Sequence, residues 1–157
     1  MKFTSLVFRA FVPVLLGLML VSHPLRAQAG DGCSLIKPAD VATLLGGTAV
    51  SKPLGTGCSW TSGSKKLLLI KMKVSGPAAQ MAFSGARNAA AKGGTVKVAD
   101  ESGIGDKAFS ALPSFGVALI VMKSGRLFQL QYWTGGTGTA SDVAALRPVA
   151  KKAAAAF

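Results

Sequence analysis

Between residues 66 and 74 apolar and polar side chains alternate, which is the pattern of a half-buried strand. Four apolar residues of this segment fall on one face, and Lys71 and Lys73 fall on the other. Similar short segments, bounded by Gly, Pro and Ser, recur along the chain. The sequence therefore predicts seven strands, over residues 48–53, 58–61, 66–74, 95–99, 107–112, 115–122 and 126–133.

Three other segments have the spacing of amphipathic helices. The first, 38–45, begins with a proline, whose missing N–H costs nothing at that position, and ends at two glycines. The second, 77–92, also ends at two glycines. Its predicted buried stripe consists of Ala79, Phe83, Ala86 and Ala90. The third begins at Ser141 and runs toward Phe157, and we expect Pro148 to kink or split it.

The order helix, three strands, helix, four strands, helix indicates the fold class. Consecutive strands joined by short turns favour antiparallel pairing. We therefore predict an α+β domain over residues 30–157, with an antiparallel sheet of about six to seven strands and two or three helices on one face.

Residues 1–29 have the features of a cleaved secretory signal peptide. A short basic start precedes the apolar run 10–21, and Ala27-Gln28-Ala29 forms a small-residue cleavage site. The alternative is a membrane anchor, but the run is shorter than the roughly 20 residues that span a bilayer. No later segment is long and apolar enough to do so. The expected location is therefore periplasmic or secreted.

Cys33 and Cys58 are the two cysteines. An exported protein meets an oxidising compartment, and a pair of cysteines without histidine favours a disulfide over a metal site. Trp60 lies on the same strand face as Cys58 and is expected to pack near the bond.

Basic residues dominate the charge of the chain. The 157 residues contain 18 Lys and Arg against 6 Asp and Glu; removing Lys2, Arg9 and Arg26 with the signal leaves 15 − 6 = +9. This excess favours an anionic envelope component, such as lipopolysaccharide or an acidic glycan, as partner. The alternative is a charge that only maintains solubility. Nucleic acid is not expected, because the chain is exported and carries no nucleic-acid motif. The candidate anion-binding residues are Lys65, Lys66, Lys71, Lys73, Lys123 and Arg126, and the candidate aromatic contacts are Trp60 and Trp133.

Several catalytic chemistries are excluded by composition. The single histidine, His23, leaves with the signal, so the mature chain has no imidazole base for Ser-His-Asp or Cys-His catalysis. Segment 62–65 matches Ser-x-x-Lys, and segment 103–108 matches Gly-x-Gly-x-x-Ala, but both read as turns between strands. The acids near residues 100–106 do not have the spacing of an EF-hand calcium loop. We expect no cofactor and no metal.

Four short motifs, in this order and spacing, resemble a family of small exported bacterial domains of unknown function, typified by actinobacterial lipoproteins. They are Cys-Ser-Leu-Ile-x-Pro-Ala-Asp-Val at 33–41, Leu-Leu-Gly at 44–46, Gly-Cys-Ser-Trp at 57–60 and Gly-Ile-Gly-Asp-x-Ala at 103–108. The resemblance implies an α+β domain with a Cys33–Cys58 disulfide and brings no catalytic residues. The chain departs from the family in lacking a lipid-attachment box and in having Lys37 where a Ser or Thr cap is usual.

Together these features favour a non-enzymatic, exported binding module of the bacterial envelope, for an anionic ligand or a partner protein. Two alternatives stay open. One is an inhibitor or immunity-type protein that acts on a secreted hydrolase or toxin. The other is an enzyme that uses Lys, Asp and Ser chemistry.

Overall fold

The computed structural model describes residues 32–157, so the predicted signal peptide 1–29 lies outside the described residues. The described chain forms three helices and seven strands. In chain order they are α1 (Pro38–Leu45), β1 (Val50–Leu54), β2 (Gly57–Ser62), β3 (Lys65–Ser75), α2 (Gly76–Lys92), β4 (Lys97–Glu101), β5 (Lys107–Leu112), β6 (Gly116–Lys123), β7 (Arg126–Trp133) and α3 (Ala140–Ala155).

All seven strands belong to one antiparallel sheet with the order β1-β2-β3-β7-β6-β5-β4. Two runs of neighbouring strands, β1–β3 and β4–β7, meet where β3 pairs with β7. This pairing joins residues far apart in the chain, for example Lys66 with Trp133 (133 − 66 = 67 positions). The predicted α+β class and antiparallel sheet are confirmed.

Helices α1 and α3 pack on one face of the sheet, which we call the two-helix face. Leu67, Leu119 and Leu130 lie beneath them in the larger of two hydrophobic clusters. The Tyr132 hydroxyl donates a hydrogen bond of 3.2 Å to the Leu44 carbonyl, which ties the sheet to α1. Two helices on one face are as predicted.

The predicted disulfide joins Cys33, ahead of α1, to Cys58 in β2. Its Cα atoms lie 4.8 Å apart, and the bond closes a loop with a sequence separation of 25. A loop of that length stabilises the fold by about 3 kcal/mol in the chain-entropy account. The bond holds α1 against the sheet.

Helix α2 packs on the opposite side, which we call the one-helix face. Ala79 and Phe83 are its buried residues, and the Phe83 ring meets Phe109 edge-on at 5.2 Å. At the start of the helix, Gly76 takes a positive φ of 57° and its N–H bonds to the Gly125 carbonyl at 2.7 Å. The chain can turn there because glycine adopts this conformation without a steric penalty.

Helix α3 differs from its prediction at two points. Its N-cap is Thr139 rather than Ser141, with a capping box closed by Asp142. It also continues through Pro148 as one helix, so Pro148 does not split it. Pro148 is exposed, whereas Leu146, Val149 and Ala150 on either side of it are buried, so packing holds both halves on the sheet.

Candidate functional site

Two neighbouring acids of the edge strand β4 connect the sheet to helices on opposite faces. On the one-helix face, Asp100 accepts bonds of 2.7 Å and 2.9 Å from the Nε and Nη2 of Arg87 in α2. This hydrogen-bonded guanidinium lowers the pKa of Asp100, and the carboxylate raises the pKa of Arg87. On the two-helix face, buried Glu101 accepts a 2.7 Å bond from Ser110 and forms an ion pair with Arg147 of α3.

The other described acids also have partners within the protein. Asp106 accepts a 2.6 Å bond from the Ser124 N–H and a 3.1 Å bond from Lys123, and the Ser124 bond is the larger cause of its lowered pKa. Asp40 pairs with Lys152 at 2.5 Å, and Asp142 caps α3. Every acid in residues 32–157 is therefore held by an internal contact.

The predicted anion-binding residues fall into two groups rather than one patch. The first, the hairpin-end group, consists of Lys71, Lys73, Lys123 and Arg126 and lies where β3 ends and the β6–β7 hairpin turns. Lys71 Nζ and Arg126 Cζ lie 5.6 Å and 4.7 Å from the centre of the Phe157 ring. Lys123 belongs to this group by position, but its charge is paired with Asp106.

The second group contains Lys65 and Lys66, at the other end of β3. Lys66 Nζ lies 5.1 Å from the centre of the Trp133 ring, which in turn stacks on Phe115 at 5.3 Å. We call Phe115, Trp133 and Lys66 the aromatic shelf. Lys66 and Lys71 are five positions apart on an extended strand, hence separated by about 16 Å.

The structure separates the two predicted aromatic contact residues. Trp133 is partly exposed on the shelf, where a ligand can reach it. Trp60 is 0% exposed in the cluster that also contains Cys58, so its packing near the disulfide is as expected. Its role as a contact residue must be corrected, because a fully buried ring offers no surface to a partner. Among the described residues no group accepts a hydrogen bond from its indole Nε1.

An open cleft of about 320 Å³ lies between α2 and the one-helix face, and the sequence reasoning missed it. Ala86 and Ala90 of α2, predicted to be buried, line it and are only half-buried. The rest of its wall and floor consists of Met72, Val96, Ala111, Pro113, Phe115, Ala118, Ile120, Gln129 and Gln131. The available signal was small residues on both α2 and the strands below it, which leave space that larger side chains would fill.

A second cleft, of about 470 Å³, lies between the start of α1 and the end of α3. The Asp40–Lys152 ion pair contributes both of its side chains to the lining. The charge of its one described acid is thus already paired, and that pair joins the two helices.

The two catalytic near-matches are turns, as expected. Ser62 pairs directly with Lys65 across the β2–β3 turn. Segment 103–108 leads into strand β5 rather than into a helix, and its Asp106 holds Lys123 and Ser124. Within residues 32–157, three or more His, Cys, Asp or Glu side chains do not converge anywhere.

Across residues 32–157, none of the helices combines the length and the apolar character that crossing a membrane requires. Comparison of the chain with protein-family models, with curated proteins and with solved structures gave no match. The function is therefore argued from the residues of this chain alone.

Proposed function

We propose that the protein is a non-enzymatic, exported domain that binds an anionic component of the bacterial envelope. The observation that carries the proposal is the asymmetry between its charges. Every acid in the described chain is used internally, and four basic residues, Arg87, Lys123, Arg147 and Lys152, take up four of those acids. The larger part of the 15 basic residues after residue 29 thus has no acidic partner within residues 32–157.

The arrangement of these cations supports binding over a role in solubility alone. In each basic group a cation lies over an aromatic ring, Lys66 over Trp133 and Arg126 over Phe157. A ring restrains the aliphatic stem of the side chain while the charged head stays in water. Cations held in place lose less conformational freedom when an anion binds.

The experiment is retention of the purified protein on heparin and on lipopolysaccharide-coated resin across a salt series. Two charge-reversal pairs test the two groups, Lys71→Glu with Lys73→Glu and Lys65→Glu with Lys66→Glu. The matched control pair is Lys97→Glu with Lys107→Glu, which changes the net charge equally at two exposed lysines outside both groups.

We expect the wild-type protein to be retained and to elute earlier as salt rises, because salt screens exposed charges. At least one test pair should elute at clearly lower salt than the control pair. Equal elution of all three pairs would mean that only net charge matters. A wild-type protein that is not retained above a neutral protein would refute the proposal and leave solubility as the use of the charge.

A further inference from the structure

We propose that the cleft beneath α2 holds the alkyl chain of a single-chain anionic amphiphile, whose head lies beside Lys66 on the aromatic shelf. This inference rests on the proposed function, because it names the class of anionic ligand. It also assigns that ligand to one of the two basic groups.

The chemistry of the cleft fits an alkyl chain. Nine of its eleven lining residues are apolar, and its volume of about 320 Å³ is at the lower end of small-molecule sites, roughly 300–1,000 Å³. A space of this size suits one chain rather than a whole multi-chain lipid. Helix α2 covers the cleft, so an alkyl chain must enter it from a single amphiphile molecule in solution. Lipids that remain in a bilayer cannot place a chain beneath the helix.

Two polar side chains in the floor of the cleft can orient the head of the amphiphile. Gln129 and Gln131 lie on the same side of β7, are half-buried, and line the cleft together. Within residues 32–157 no protein group hydrogen-bonds to either amide. Their amide N–H groups are therefore available to an anionic oxygen.

The sheet register places Lys66 at the mouth of the cleft. Gln131 lies opposite Leu68, and Trp133 lies opposite Lys66. Lys66 is thus a diagonal neighbour of Gln131 on the same face, at about 7–8 Å between Cα atoms. Phe115 belongs to both the cleft lining and the shelf, so apolar surface continues from the cleft to the Lys66 ammonium.

The charge around this mouth selects the sign of the head group. Asp100, on the same face, is already held by both of its oxygens on Arg87. Lys66 is the cation nearest the mouth, and Lys52 adds a more distant positive charge on the same face, three strands or about 14 Å from Gln131. Positive charge is therefore uncompensated at the mouth, which favours an anionic head over a cationic one.

The probes are dodecanoate and dodecyltrimethylammonium, which share a chain length and differ in the charge of the head, each titrated as monomer into the purified protein by calorimetry. Ala90→Leu fills the cleft with a residue that favours helix. Ala89→Leu is the matched control, because Ala89 is the exposed neighbour of Ala90 in the same helix. For the head, Lys66→Glu is compared with Lys97→Glu, at an exposed lysine outside the mouth.

We expect dodecanoate to bind at least ten-fold more tightly than dodecyltrimethylammonium. Ala90→Leu should weaken dodecanoate binding at least ten-fold and Ala89→Leu should not. Lys66→Glu should reduce or reverse the preference for the anionic head, and Lys97→Glu should leave it unchanged.

Four outcomes would overturn the inference. Dodecanoate binding that Ala90→Leu leaves unchanged would place the chain elsewhere. Binding to phosphatidylglycerol vesicles without binding to monomeric dodecanoate would indicate a membrane surface as partner instead. Retention on heparin without dodecanoate binding would refute the cleft and leave the proposed function standing, whereas the loss of both would refute both.

Discussion

The two faces of the sheet differ in how completely the helices cover them. On the two-helix face, α1, α3 and the disulfide cover a large cluster in which Trp60, Leu119 and Phe128 are fully buried. On the one-helix face, α2 alone covers a smaller cluster and leaves the apolar cleft open beside it. The first face therefore contributes more to stability, and the second has the cleft that we propose as a ligand site.

Neighbouring residues of one strand allow a direct comparison of the two faces, because they lie on opposite sides of the sheet. In β6, Leu119 points to the two-helix face and its neighbour Ile120 points to the one-helix face, where it lines the cleft. In β4, Glu101 and Asp100 are divided between the faces in the same way. Adjacent residues can therefore report on the two faces separately.

The largest expected effect comes from Leu119→Ala compared with Ile120→Ala. Leu119 has close neighbours on all sides, so its truncation should lower the free energy of unfolding by about 4 kcal/mol. Ile120 already borders the cleft and has fewer contacts to lose, so we expect about 2 kcal/mol. Urea denaturation of both variants measures the difference. Equal losses would mean that the two faces are packed equally well.

The second largest loss of unfolding free energy is expected from Glu101→Gln, and Asp100→Asn is its comparison. Glu101 is buried and paired with half-exposed Arg147, so neutralising it should lower the free energy of unfolding by about 2 kcal/mol. Asp100 and Arg87 are exposed to water, so neutralising Asp100 should cost much less. The same denaturation experiment checks this ordering, and a larger loss in Asp100→Asn would reverse our view of which face is held more firmly.

The smallest effect is the dependence of the α2 contact on pH. Arg87 lowers the pKa of Asp100 in the folded protein. The stabilisation by Asp100 is therefore present above its unfolded pKa and is lost as pH falls through the lower folded pKa. The stability difference between wild type and Asp100→Asn should shrink from neutral pH to about pH 2. Asp106→Asn should behave likewise, because the pKa of Asp106 is also lowered. A difference that does not change with pH would contradict the ion-pair account.

The prediction of two or three helices on one face did not say which face each helix covers. The apolar run of β6 indicates that both faces of the sheet are covered. Every residue of Gly116–Met122 is buried, and a strand that is buried on both sides requires cover on both faces. Ala86 and Ala90 were assigned to the buried stripe because helical periodicity identifies a face. Periodicity does not say how closely the opposing surface packs against that face. Here Ala86 and Ala90 contact the smaller cluster but stay half-buried at the edge of the cleft.

The resemblance to a family of exported domains, the signal peptide and the anion-binding role stay predictions. The comparisons gave no match to test the first, residues 1–29 lie outside the described residues, and binding has not been measured. The positions of Lys66 and Lys71 show why the candidate lysines of β3 fall into two groups. Both lie on β3, and a strand places residues five positions apart on opposite faces and far along its axis.

The local elements, the disulfide and the charge follow from the sequence alone, because each depends on neighbouring residues or on a count. Alternation identified β3 and β7, glycines and prolines marked the turns, and two cysteines had one way to pair. Only tertiary contacts place β3 beside β7, put α2 on the opposite face, and bring Gln131 and Phe115 to one cleft with Lys66 and Trp133 beside it. These contacts join residues far apart in the chain, and a local pattern sets the face of a residue without naming its partner.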